Sequence, residues 1–330
     1  MIFKKENNPK AEEFRKYIAV NISLSFDNLR PYIDSAERKF LMPLLGKSLY
    51  DQLITFYNSD QTGTDSQIWK TFLERCQAAV INLALLNAYP VLNAFISDSG
   101  ISRTHDKEKA LFKYQEDALI DSFKENGFNG LDDVLEYLEA NISKFDKWKE
   151  SANYTLIKKS IIKSTSEFNA VYNIGNSRIV FLQLKPFINQ IIDLELPSIL
   201  GEDLVNRITT SLESETPDEK ITNLLPDLRK TIVFSSIALG IDELGLNITE
   251  RGSLFTLKTE GDGNTEQQFP GQEYLAMLQS KNQKTANKYF SRLVRYITSH
   301  ADDYPEFTGD NTSPYAIHRD NTGKKTAWLM

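Results

Sequence analysis

One stretch of this chain is written twice, and that repeat limits the possible folds more than any other feature. Leu29-Arg30-Pro31-Tyr32-Ile33 runs on through Phe40 to Pro43-Leu44-Leu45-Gly46, then to Leu49 and Leu53. Leu184-Lys185-Pro186-Phe187-Ile188 leads in the same way to Pro197-Ser198-Ile199-Leu200-Gly201, then to Leu204 and Ile208. The copies lie about 155 positions apart (186 − 31 = 155). Self-similarity at so long a separation marks a duplicated structural module.

The stretch is helical by its spacing. Leu29, Tyr32, Ile33, Ala36 and Phe40 fall at i, i+3, i+4, i+7 and i+11, which puts them on one face, with Asp34, Glu37, Arg38 and Lys39 opposite. Proline lacks a backbone donor and restricts the residue before it, so Pro43 with Gly46 predicts the end of this helix and a corner into a second one over 47–56. Gly46 is expected in the left-handed geometry of a helix C-terminus. The second copy repeats the stripe at Leu184, Phe187, Ile188, Ile191 and Ile192, and repeats the corner at Pro197 and Gly201.

The duplication divides the 330 residues into a first helical module over 1–150, a connecting segment over 151–178, a second module over 179–305, and an extended C-terminal arm over 306–330. Residues 1–10 read as polar and extended, with a short helix over 11–18. The central core helix of the first half starts at Gln67 and carries a kink at Pro90. Its counterpart begins near Asp218, with 216–219 as its cap and Pro217 in its first turn. Ile96-Ser97-Asp98-Ser99-Gly100 matches Ile248-Thr249-Glu250-Arg251-Gly252, and the alternation over Leu254 to Leu257 suggests a small β-hairpin that the first half holds in degraded form. Each half then closes with two helices, 109–124 and 131–148 in the first, 272–279 and 285–299 in the second. Phe290, Leu293 and Ile297 echo Leu135, Leu138 and Ile142 (290 − 135 = 155). The fold class is therefore mainly α, two tandem helical-bundle modules with a small hairpin and an extended arm. The arm ends in Trp328-Leu329-Met330, an apolar tip with no helical phase, suited to docking on a partner or tucking against its own domain.

Composition narrows the function. A net charge of −7 argues against a general nucleic-acid surface, because that binding is driven by neutralising phosphates with Lys and Arg. Cys76 is the only cysteine, which rules out an intrachain disulfide, and its apolar helical run reads as a core position. No stretch has the length of a signal-peptide core or of a membrane span, so a soluble, cytoplasmically made protein is expected.

Chemistry-bearing motifs are sparse. His105, His300 and His318 lack metal-ligand spacing to one another or to Cys76, so no metal and no cofactor is expected. His318-Arg319-Asp320 lacks the downstream asparagine of a kinase loop, and Gly323-Lys324-Lys325-Thr326 lacks the leading glycine of a phosphate loop. Gly261-Asp262-Gly263-Asn264 has too few acids for a calcium loop. Asp132-Asp133 and Asp302-Asp303 are carboxylate pairs at helix margins, where solvated acids are the norm. No catalytic residue is assigned.

The stretch from Phe26 to Leu53, with its Pro43-Leu44-Leu45-Gly46-Lys47-Ser48-Leu49-Tyr50, its second copy and the polar tail with an apolar tip together resemble the head–tail connector (adaptor) proteins of tailed bacteriophages. The type is one common in phages and prophages of the Bacteroidetes, including ring proteins of crAss-like phages. The resemblance implies a mainly α-helical, non-catalytic virion protein that forms a ring of about twelve copies at the head–tail interface. Its partners would be the portal protein, tail or ring proteins and its own copies, with DNA only passing through, no membrane, and assembly in the host cytoplasm. Many small connectors carry one module where this chain has two. The residues alone also leave open a helical enzyme or host-directed binding protein with a dispersed site.

Overall fold

The computed structural model describes residues 1–19, 24–92, 94–97, 100–103, 113–214, 216–244, 257–259, 266–268 and 272–307. It is mainly helical and divides into two units, Met1–Lys158 with Ser177–Ile179, and Lys159–Asn176 with Val180–Met330. Residues 151–178 are thus shared between the units, and each unit has its own hydrophobic core.

In the first unit, α1 (Phe26–Ala36) starts where the Ser25 side chain accepts the Asp27 N–H, a cap that satisfies one of the otherwise unpaired donors of a helix start. Leu29, Ile33 and Ala36 are buried, and Pro31 lies exposed inside the helix. The helix passes through a five-residue π turn, Glu37–Leu41, into α2 (Met42–Leu45), with Pro43 in the first turn of α2. Proline was expected to end a helix there. The helical run does end at Gly46, as the pair Pro43 and Gly46 predicts, but Pro43 itself is carried inside it, directly after the π turn. Gly46 then makes the corner into α3 (Lys47–Asn58). Its φ of 77° and ψ of 150° lie outside the left-handed helical region expected of it, in a region open essentially to glycine. An added Cβ would stand 2.9 Å from Cβ of Ser151.

The core helix is α4 (Ser66–Leu92), which buries Phe72, Leu73, Cys76, Val80, Ile81 and Leu85 and carries Pro90 near its end. It packs along α5 (Lys113–Ala140). The two closing helices read over 109–124 and 131–148 are therefore corrected. One continuous helix runs through Gly127 and Gly130, followed by a 3-10 turn (Ile142–Lys144) and short α6 (Asp146–Lys149). The glycines let two helices approach closely, since a Cβ on Gly127 would meet Leu83 at 2.7 Å and one on Gly130 would meet Ala79 at 3.0 Å. α7 (Ala152–Lys159) and α8 (Thr165–Val171) follow.

The second unit repeats the order. α9 (Arg178–Gln190), whose first two residues belong to the first unit, contains Pro186, a π turn covers Ile191–Glu195, and α10 (Leu196–Leu200) has Pro197 in its first turn. Gly201, at φ 87° and ψ 145°, turns into α11 (Glu202–Glu213). α12 (Glu219–Leu244) is the core helix, with Pro217 ahead of it rather than in its first turn. Asp218 caps it by accepting the Lys220 N–H at 2.9 Å. α13 (Gln272–Ser299) is again one helix where two were expected. Short antiparallel strand pairs join Ala94–Ser97 to Gly100–Arg103 and Leu257–Thr259 to Glu266–Gln268. Gly100 opens the second strand of the first pair, while Gly252 and the alternation at Leu254 lie outside the described residues.

The closing helices match at a different register from the one read in sequence. Tyr137 meets Phe145 edge to face at 6.4 Å between centroids, and Tyr296 lies tilted against Tyr304 at 6.3 Å. Phe145 and Tyr304 end equivalent 3-10 turns with nearly the same backbone, φ −124°, ψ 58° and φ −132°, ψ 59°. Both pairs are 159 apart (296 − 137 = 159). Phe290, Leu293 and Ile297 therefore correspond to Leu131, Val134 and Leu138. A slip of four residues is nearly one helical turn and leaves an apolar stripe almost unchanged, so periodicity alone does not reveal it.

Candidate functional site

The first eighteen residues, read as polar and extended with a short helix, contribute buried side chains to the first core. Ile2, Phe3, Ala11 and Phe14 are buried, and the helical piece is a single 3-10 turn, Phe14–Lys16. Two buried carboxylates hold this leader. Glu37, at the start of the π turn, accepts the Ile2 N–H at 2.7 Å and the Tyr50 hydroxyl at 2.5 Å. Glu13 accepts from Asn8 Nδ2 at 2.8 Å, from Tyr57 at 2.8 Å and from Gln77 Nε2 at 3.2 Å, and Gln77 also donates to the Ile2 carbonyl at 2.6 Å. Burial first, then the bonded carboxylate, pushes the Tyr50 and Tyr57 hydroxyls up. These phenols act as donors, not acids.

The second unit has the same device in residues read as a connecting segment. Arg229 Nε donates to the Ile161 carbonyl at 2.9 Å, and its guanidinium meets Glu167 at 3.2 Å. Ile161, Ile162 and Phe168 are buried as Ile2, Phe3 and Phe14 are. The repeat thus extends to the leader. The signal was present in sequence, in Glu13-Phe14 and Glu167-Phe168 (167 − 13 = 154), but two matching letters in a polar context carry little weight.

The signature residues fall into two groups. Gly46 and Gly201 are corners with equivalent backbone, and Pro31, Pro43, Pro186 and Pro197 lie in the first copies' helices and their repeats as described above. They shape the modules. Trp328, Leu329 and Met330 of the arm lie outside the described residues. The start of that segment is anchored at Arg207, whose Nη1 donates to the Asp303 carbonyl at 2.9 Å and to Glu306 at 3.1 Å, and whose Nη2 donates to Asp218 at 2.7 Å. The hydrogen bond from Arg207 holds the Asp218 carboxyl below its usual range. Phe307 packs against the second core.

Several other titratable groups are committed locally. Asp132 pairs with Arg178, Asp133 with Arg75, and Asp303 with Lys220 at 2.7 Å. Burial pushes the Cys76 thiol well up. His300 Nδ1 lies 2.9 Å from the Tyr296 carbonyl, and its ring stacks on Tyr296. Among the described residues no cluster of His, Cys, Asp and Glu is placed to hold a metal, and no helix is long and apolar enough to cross a membrane. An open groove of about 420 Å³ on α3 is lined by Ser48, Asp51, Gln52, Thr55, Phe56 and Trp69 among others. It is a shallow surface feature in which these polar groups face solvent.

Fold and site together define a mainly helical protein made of two copies of one module, each fastened by its own leader. The chain belongs to a family of unknown function (DUF6712), which matches residues 41–156 and again residues 196–317, once in each copy. The matches begin 155 residues apart (196 − 41 = 155), the separation of the two signature stretches. No curated protein and no solved structure matches the chain.

Proposed function

We propose that this protein is a structural component of a tailed-phage particle, a head–tail connector that forms a ring between portal and tail. The observation that carries the reading is the tandem pair of helical modules built on the stretch that resembles connectors, with the corner glycines Gly46 and Gly201 in equivalent geometry. Buried polar groups fasten the first leader to its module and the half-buried Arg229–Glu167 pair fastens the second, which suits a scaffold with a fixed shape. The arm beyond Phe307 ends in Trp328, Leu329 and Met330, and an apolar tip on a polar tether is suited to adding to a neighbouring subunit, portal or tail protein. The net charge of −7 would keep a central passage from gripping DNA.

Electron microscopy of the purified protein, alone and with the portal of the same genome, tests this. The expected result is a closed ring of about twelve copies that stacks on the portal, and a particle lacking the protein that has no attached tail. Deleting 308–330 keeps the Arg207–Glu306 anchor and should leave the helical signal intact while abolishing attachment to portal or tail. A protein that stays monomeric beside its portal, or particles that assemble normally without it, would refute the reading.

A further inference from the structure

The long closing helices of the two modules carry opposite charge on their outward faces. α5 has eight carboxylates and two lysines, a net −6, whereas α13 has one glutamate and five basic residues, a net +4. At the register fixed by the tyrosine pairs, Glu125 corresponds to Lys284, Asp133 to Arg292 and Glu136 to Arg295 (295 − 136 = 159), and all six are exposed. The inward faces have kept their chemistry, with Leu131, Val134 and Leu138 buried as Phe290, Leu293 and Ile297 are.

One of these exchanges is explained inside each module. Asp133 pairs with Arg75 of α4, and Arg292 pairs with Asp227 of α12 at 2.6 Å, so the ion pair is reversed in polarity as a whole. The other two exchanges, Glu125 with Lys284 and Glu136 with Arg295, have no such partner. Among the described residues, Asp121, Glu125 and Glu136 on α5 and Lys281, Lys284, Lys288 and Arg295 on α13 make no ion pair. Like charges three and four residues apart destabilise a helix, and α13 carries them in series at 281, 284, 288, 292 and 295. Solvation of a surface helix is indifferent to sign, so separating acids onto one module and bases onto the other needs another cause.

We infer that the acidic face of α5 on one copy docks on the basic face of α13 on a second copy. Glu125 to Glu136 and Lys284 to Arg295 each span eleven residues, about 16 Å of helix axis, so the charge rows have the same length. Used once per chain, such a contact joins two different faces and propagates until it closes, which makes it a heterologous interface of the kind that builds rings. This surface deepens the connector reading and rests on it only for the closure.

The test uses the full chain and two variants, Glu125→Lys with Glu136→Lys, and Lys284→Glu with Arg295→Glu. Sedimentation velocity is run in low salt and in about 1 M salt, where screening shortens to roughly 3 Å. Wild type should associate in low salt and weaken in high salt, and each variant alone should associate about tenfold or more weakly with unchanged helical circular dichroism. Mixing the two variants one to one should restore assembly, because each then offers the sign the other lacks. Wild-type rings that are indifferent to both variants would remove this surface and leave the connector reading standing. A wild type monomeric in low salt would remove both. A wild type that binds a DNA duplex through Lys284 and Arg295 without self-associating would assign the basic face to nucleic acid instead.

Discussion

Gln77 in the middle of α4 donates through Nε2 to the carbonyl of Ile2 at 2.6 Å, joining the core helix to the first buried residue of the chain. The same amide lies 3.2 Å from Glu13, so a single side chain fastens two points of the leader. Arg229 repeats the arrangement with Ile161 and Glu167 in the second module.

Gln77→Leu should therefore release the first leader. The variant buries a carbonyl and a carboxylate oxygen with fewer donors, a loss of about 2 kcal/mol. Hydrogen exchange at the Ile2 and Phe3 amides is expected to speed up while α12 and α13 stay protected, and Arg229→Leu should do the reverse for residues 159–176. Equal protection in wild type and Gln77→Leu would show that Gln77 does not fasten the leader.

Gly46→Ala should destabilise the first module by roughly 1–3 kcal/mol, from positive φ together with the close contact on Ser151. Adding Ser151→Gly removes the contact but not the backbone strain, so chemical denaturation is expected to show partial recovery. Complete recovery would mean that the backbone at Gly46 tolerates a side chain.

Gly127→Ala tests the close approach of α4 and α5. Helix propensity favours alanine by about 1 kcal/mol, yet the new methyl would meet Leu83, so a net loss of about 1–2 kcal/mol is expected. The second module places Ala286 and Ser235 at the equivalent sites, both buried. The cost of Gly127→Ala should accordingly be smaller in a Leu83→Ala background than in wild type, as a double-mutant cycle by chemical denaturation would read. A Gly127→Ala protein that melts above wild type would refute the packing role.

Glu195 ends the second π turn with one carboxylate oxygen buried and without a hydrogen-bond partner, and burial holds its carboxyl above the usual range. A carboxyl raised in the folded state binds its proton more tightly there. Its stabilising effect is therefore complete below the unfolded value near 4.5 and is lost as pH rises through the folded one. Glu195→Gln should stabilise the second module at pH 7, and the gain should vanish below about pH 4.5. A gain that is constant across this range would argue against a protonation effect.

The amino-acid sequence by itself determined the duplication, the helical class, the inward stripes of α1 and α9 and the corners at Gly46 and Gly201, because these are local or periodic properties that neighbouring residues specify. Tertiary structure decided the rest. Whether the chain breaks or continues at Gly127 and Gly130 depends on Leu83 and Ala79 lying against them, since glycine serves equally as a helix stop and as a site of close approach. The burial of Ile2 and Phe3, just ahead of Lys4, Lys5 and a polar run, depends on Glu13, Glu37 and Gln77 arriving from up to 75 positions away. The true register of α5 with α13 was hidden because a four-residue shift returns an apolar stripe almost to itself, and only the Tyr137–Phe145 and Tyr296–Tyr304 contacts mark the turn on which each helix ends.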